Sequence, residues 1–210
     1  MEQNEQSQEK KGLLELREEE PKKPLIPPKV AKEIREWVIS LATAFILVVL
    51  IRSFLFTIIR VDGGSMLDTL KNNDRLFVTV LDVKLDGPER FDVVICRYPN
   101  RKDQYVKRVI GMPGDTIMVR RGVLYINDEP VEEPFLSDIR IQRFNRGSSN
   151  FGPVQVPEDC YFVMGDNRDD SNDSRAVGMI TREMMIGKVR WIIWPPARMG
   201  TVAGSEVYAQ

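Results

Sequence analysis

The sequence predicts a mostly β domain, residues 60–210, behind a single membrane-spanning helix near the N-terminus. Three observations carry that expectation. From Trp37 to Ile59 the chain runs 23 residues with one charge, Arg52, and no proline or glycine. Beyond it, short β-rich runs alternate with turn signals, and no long helical period is evident. The composition, 42% apolar and 29% charged, is that of an ordinary globular chain and excludes wholesale disorder.

Residues 1–36 hold nine acidic and eight basic side chains around Pro21, Pro24, Pro27 and Pro28. Such a stretch cannot bury a core and is expected to be a disordered tail. Residues 37–59, as a helix, span about 35 Å, enough for a hydrocarbon core of about 30 Å. A buried helix of a soluble domain is the alternative. A cleavable leader fits less well, because the polar stretch before the run is too long. No small-x-small site follows the run either; Ala42-Thr43-Ala44 lies inside it. Lys22, Lys23, Lys29, Lys32 and Arg35 precede the run, whereas Arg60 alone lies just beyond it. The positive-inside rule then puts the tail in the cytoplasm and residues 60–210 outside, as a single-pass protein of the cell membrane.

In the outer part, Leu76–Val80, Asp92–Ile95, Tyr105–Ile110, Thr116–Val119 and Val123–Ile126 read as strands. Tyr161–Met164 and Val189–Trp194 continue the pattern. Turn signals at Asp86-Gly87-Pro88, Pro113-Gly114-Asp115 and Asn127-Asp128 separate several of them. Many short strands with few helices point to an all-β sandwich or barrel-like domain. Met66–Lys71 is a candidate short helix. About 121–160 reads as a variable hairpin excursion of low order.

Thirty Lys and Arg against 31 Asp and Glu give a net charge of −1, without the basic excess of a nucleic-acid binder. There is no histidine, which excludes Ser-His-Asp and Cys-His catalysis and any histidine-ligated metal. Cys96 and Cys160, 64 positions apart, fit no metal-ligand spacing and read as free core thiols.

Three stretches carry candidate chemistry. Gly63-Gly64-Ser65-Met66 follows the apolar run; paired glycines before a serine suit a tight bend, or simply a surface turn. In Tyr105-Val106-Lys107-Arg108-Val109, strand alternation puts Tyr105, Lys107 and Val109 on one face. A lysine partly desolvated there loses its proton more easily and becomes a competent base. An edge lysine with its amine in water is the alternative. Without histidine, Ser65 and Lys107 are the chemically sensible dyad. The third stretch, Gly165 to Arg175, is rich in Asp, Asn, Ser and Arg. Counted from Asp166, its sixth residue is Ser171 and its twelfth Val177, so the EF-hand pattern fails and no metal is expected.

Together these stretches resemble the bacterial type I signal peptidases, membrane-anchored serine endopeptidases that remove signal peptides from exported preproteins. The resemblance covers roughly residues 34–200. Gly64-Ser65-Met66 with Thr69-Leu70, Phe91-Asp92-Val93-Val94, Tyr105 to Gly111, and Gly165-Asp166-Asn167-Arg168 with Ser171 and Asp173-Ser174-Arg175 match its boxes in order behind the anchor. The resemblance implies a signal-peptidase-like fold, Ser65 as nucleophile and neutral Lys107 as general base. It implies that Ser171 orients the lysine and that the Ser65 N–H binds the oxyanion. Val61, Met66, Leu70, Tyr105 and Val106 would line shallow apolar pockets for small side chains. Asp166, Asn167, Arg168, Asp173 and Arg175 would shape the supporting loop, with Asp173 and Arg175 as an ion pair. The implied partners are preprotein signal peptides, the lipid bilayer and a nearby secretion translocon, with no cofactor, metal or nucleic acid.

Two departures stand out. Gly63 occupies the place where some members carry a serine that donates to the oxyanion. Asp68 replaces a common proline and is expected to loosen the turn behind the nucleophile. Self-cleaving repressors and polymerase-accessory proteases share a similar Ser/Lys core, but they are soluble, and the anchor argues against them. A non-enzymatic relative would be expected to have lost Ser65 or Lys107.

Overall fold

β-Branched residues at the end of the long apolar run, Thr57, Ile58 and Ile59, pair as a strand and so set where the helix stops. The computed structural model describes residues 27–99, 101–146 and 150–204, the side chains of 28, 31, 51–54, 143, 145 and 146 excepted. Helix α1 covers Pro28–Phe54, with Pro28 at its first position, where a missing N–H costs nothing. It starts earlier than the expected span because the good helix formers Lys32, Glu33, Arg35 and Glu36 extend it backwards. Residues 28–36, expected in the tail, are therefore helical, and 1–26 lie outside the described residues. The end of the expected span is corrected too. Phe56–Arg60 forms strand β1, paired residue for residue with Arg75–Thr79, strand β2. Among the described residues no helix is long and apolar enough to cross a membrane. The apolar run continues through residues 51–54, whose side chains are outside the described set.

The chain divides into two units at Val48/Val49, and the second holds all the strands. After β2 come α2 (Leu81–Leu85), β3 (Val93–Arg97), β4 (Gln104–Gly111), β5 (Thr116–Arg120), β6 (Val123–Ile126) and β7 (Glu129–Pro130). Then follow α3 (Asp138–Arg146), β8 (Phe151–Gln155), β9 (Cys160–Met164), α4 (Ser174–Val177), β10 (Ile180–Thr181), β11 (Met185–Trp194) and β12 (Gly200–Thr201). All pairings among the described residues are antiparallel. The larger sheet runs β1-β2-β11-β3-β4-β9-β10, with β12 beside β11; the smaller runs β7-β6-β5-β8.

The mostly β expectation holds, and every strand expected from alternation is present. The stretch expected as a low-order excursion is instead built structure. Strands β6, β7 and β8 and helix α3 form most of the smaller sheet and its cover, with Phe144 of α3 only 1% exposed. One buried aromatic in a polar helix supplies a core contact that composition alone conceals. The candidate helix at 66–71 is one turn, closed by Leu70 N–H to the Met66 carbonyl.

Strand β4 matters most, because it borders three cores. Val106 packs with Val61, Met66, Leu70 and Leu76; Tyr105 and Val109 pack with Val94 and Cys96; Ile110 packs with Ile117, Leu124, Phe144 and Phe162. A side chain midway along β4 is thus dry whichever face it takes. Both cysteines are free thiols, as expected.

Candidate active site

The serine stands on a short excursion between β1 and β2. Val61 N–H donates to the Asp74 carbonyl and Asn73 N–H to the Val61 carbonyl, prolonging the strand pairing past Arg60. Gly63 then takes φ +103°, a left-handed conformation strained for any L side chain, so a glycine suits this bend. Past Ser65, Met66 and Leu70 bury into the core and hold the excursion down from below. Arg198 ties its far end, donating to the Asp74 carboxylate and the Thr69 carbonyl.

Lys107 comes from β4, opposite Val94 of β3. It is 2% exposed, and its Nζ lies 2.7 Å from Ser65 Oγ. Nζ also donates to the Val106 carbonyl at 2.9 Å. Burial pushes the Lys107 amine below its ordinary value, because no water solvates the ammonium; Cys96, Asp173 and Asp166 oppose the shift more weakly. A hydroxyl in direct contact with a desolvated amine is an arrangement in which an amine can take a hydroxyl proton. The Ser65 N–H has no acceptor among the described residues. A cleft of about 380 Å³ opens at the pair, walled by residues 59–63, at and just past the end of β1, and by 103–107, at the start of β4.

A family model described as signal peptidase, peptidase S26, matches residues 34–194. The chain belongs to the signal peptidase family. The relatives agree. Signal peptidase I S of Bacillus subtilis (strain 168) is 40% identical over 170 residues, covering 78% of this chain and 91% of that protein. Signal peptidase IB of Staphylococcus aureus (strain COL) is 37% identical over 177 residues, with 78% and 91% covered. The crystal structure of a signal peptidase I from Enterococcus faecalis V583 is similar at 32% identity and a TM-score of 0.41, covering 48% of this chain and 95% of that one. As a member of this family the chain is a hydrolase, a serine peptidase.

In this signal peptidase family member, Val61, Met66, Tyr105 and Val106 line the cleft. Leu70 does not: at 0% exposure it is part of the core beneath the serine excursion. Ile59 and Ile95 take part in the lining instead. Neither was expected from its own segment, although Ile95 closes an apolar strand whose neighbour carries the lysine.

The third stretch folds over the serine. Gly165 is wedged there: a Cβ on it would come within 2.2 Å of Ser171 Oγ and 2.4 Å of the Ser65 carbonyl. Ser171, the expected lysine-orienting residue, makes no hydrogen bond to Lys107; its buried Oγ has no partner among the described residues. The loop around it is heavily bonded. Asp173 accepts from Gly165 N–H and from Arg175 Nε and Nη2, the last two at 2.8 Å, which is the expected ion pair. Arg168 donates to the Gly165 carbonyl and pairs with Glu133. Asn167 bonds the serine excursion directly, its N–H donating to the Ser65 carbonyl and its Nδ2 to the Gly64 carbonyl, both at 3.0 Å.

Asp166 accepts two parallel bonds from Arg108, at 2.9 and 2.8 Å, and a third from Thr69 Oγ1 at 2.5 Å. Arg108 sits next to the lysine on β4, is fully buried, and also donates to the Phe91 and Ala203 carbonyls. Its place in the site was missed, since strand alternation marks it only as facing away from Lys107.

Proposed function

We propose that the protein cleaves N-terminal signal peptides from exported preproteins after small-x-small motifs, with Ser65 as nucleophile and Lys107 as general base. The 2.7 Å approach of a 2% exposed lysine amine to the serine hydroxyl carries this reading. Neutral Lys107 takes the proton from Ser65 Oγ as it attacks the scissile carbonyl. The negative charge that develops on the carbonyl oxygen is met by the Ser65 N–H, a donor of the kind worth about 3 kcal/mol in comparable sites. The lysine ammonium returns the proton to the leaving amine. Water, deprotonated by the same amine, then releases the acyl group from Ser65.

Substrate lies extended in the cleft, adding main-chain hydrogen bonds that demand little of its sequence. Its small side chains enter pockets made by Val61, Met66, Tyr105 and Val106. Ser171 turns its free hydroxyl to the ammonium once Lys107 is charged. Asp166, Asn167, Arg168, Asp173 and Arg175 hold the loop that roofs the serine. Residues 37–59 anchor the enzyme in the cell membrane with residues 60–210 outside, beside the bilayer and near the translocon that delivers preproteins.

The test is cleavage of a labelled preprotein by the detergent-solubilised full chain, wild type beside Ser65→Ala and Lys107→Ala, with the cut read by mass spectrometry. A cut after a small-x-small motif, absent in both folded variants, supports the reading. Retained cleavage by purified Lys107→Ala removes the lysine from the mechanism.

A further inference from the structure

Asp68 and Arg140 are joined across 72 positions of sequence by an ion pair that no motif announces. Asp68 follows the nucleophile by three residues; Arg140 lies in the first turn of α3, within the stretch that composition marks as a loose excursion. Ser137 Oγ donates to Asp68 Oδ2 at 2.9 Å, and Arg140 Nη2 stands 3.5 Å from Asp68 Oδ1. The other guanidinium nitrogen, Nη1, donates to Asn167 Oδ1 at 2.5 Å. The Arg140 side chain is 15% exposed while that of Asp68 is 58% exposed, so the guanidinium is sheltered on its Asn167 side and the ion pair itself is open to water.

We propose that Arg140 is a positioning residue for the oxyanion donor, acting through the amide of Asn167. The argument rests on the proposed role of the Ser65 N–H. Arginine has only donors and a backbone carbonyl only accepts, so the Asn167 amide fits between them one way: Oδ1 to Arg140, Nδ2 to the Gly64 carbonyl. The Gly64 carbonyl and the Ser65 N–H belong to one planar trans peptide and point in opposite directions. Holding the carbonyl therefore aims the N–H. Asn167 N–H holds the next carbonyl, that of Ser65, so both peptide planes flanking the nucleophile are set from one residue. Without the guanidinium, the Asn167 amide is free to rotate and the donor loses its aim. Asp68, expected to loosen this turn, is instead a point where α3 grips it.

Full-length protein in detergent, assayed with a fluorogenic peptide carrying an Ala-x-Ala motif, tests this. Arg140→Met keeps the aliphatic stem and removes the donors. Its kcat should fall about tenfold to a hundredfold, less than removing a donor outright, with KM and the rising limb of the pH profile unmoved. Asn167→Asp still accepts from Arg140 but sets a carboxylate oxygen against the Gly64 carbonyl; it should lower the thermal midpoint and lose at least as much kcat. If Arg140→Met does not fold, Asn167→Asp decides. A kcat within twofold of wild type in either folded variant overturns the inference, as does a loss expressed wholly in KM. Ser65→Ala runs alongside. If it stays active the parent reading falls; if it is dead while Arg140→Met is fully active, this inference alone falls.

Discussion

Asp166→Asn removes one negative charge from a fully buried site and changes almost no volume. The carboxylate now faces three donors: Arg108 Nε and Nη2 at 2.9 and 2.8 Å, and Thr69 Oγ1 at 2.5 Å. Both partners of the ion pair are almost wholly buried, at 0% and 1% side-chain exposure. An amide there accepts on one side and presents N–H groups to a guanidinium on the other. The buried Arg108 guanidinium is then left without a carboxylate partner among the described residues. Breaking a buried pair this way costs about 3–5 kcal/mol. For a domain of this size that is a fall in melting temperature of about 6–20 °C. Arg108→Met should cost more, because it leaves the buried carboxylate with Thr69 as its remaining side-chain donor and also takes a donor from the Phe91 and Ala203 carbonyls. Near-UV circular dichroism during heating, with urea titration of the same variants, measures both. A loss under about 1 kcal/mol for Asp166→Asn, or the reverse ranking of the two variants, would refute the reasoning.

Three further outcomes are expected. The Lys107 amine sits below its ordinary 10.5 because it is buried, so kcat/KM should climb with pH through that lowered value and level off above it. Between the lowered value and 10.5 only the unfolded chain holds this proton, so stability should rise with pH there, and Lys107→Met should abolish both trends. Gly165→Ala should lose at least about a hundredfold in activity and about 1–3 kcal/mol in stability, because the new methyl meets the Ser65 carbonyl backbone at 2.4 Å; steady-state assays beside urea unfolding check it. Burial pushes the Cys96 thiol up to about 12, so iodoacetamide at pH 8 should leave it unmodified in the native protein and label it after denaturation, as peptide mapping would read.

What the sequence revealed and what it hid follow one physical line. Alternation exposes strands such as Val123–Ile126, found with the expected bounds, because each half-buried strand writes its own period. It fails at Phe56–Arg60, where apolar β-branched residues suit a membrane helix and a strand alike, and only pairing with Arg75–Thr79 decides. It fails again at Asp138–Arg146, six of whose nine residues are polar and where Phe144 is the one fully buried side chain among the described ones. The site divides the same way. Ser65 and Lys107 stood out because a chain without histidine must take its base from elsewhere, although a surface turn and an edge lysine also fitted their segments. Leu70 was misplaced because neighbourhood to the serine in sequence does not say which side of the excursion a side chain takes; it points into the core. Of the supporting bonds, the Asp173–Arg175 pair was expected, but the distant ones were illegible, since Thr69 meets Asp166 across 97 positions and Arg140 meets Asn167 across 27. A single segment can declare a nucleophile or a base. Their alignment to within a hydrogen bond is a property of pairs, and pairs distant in sequence are what the fold alone brings together.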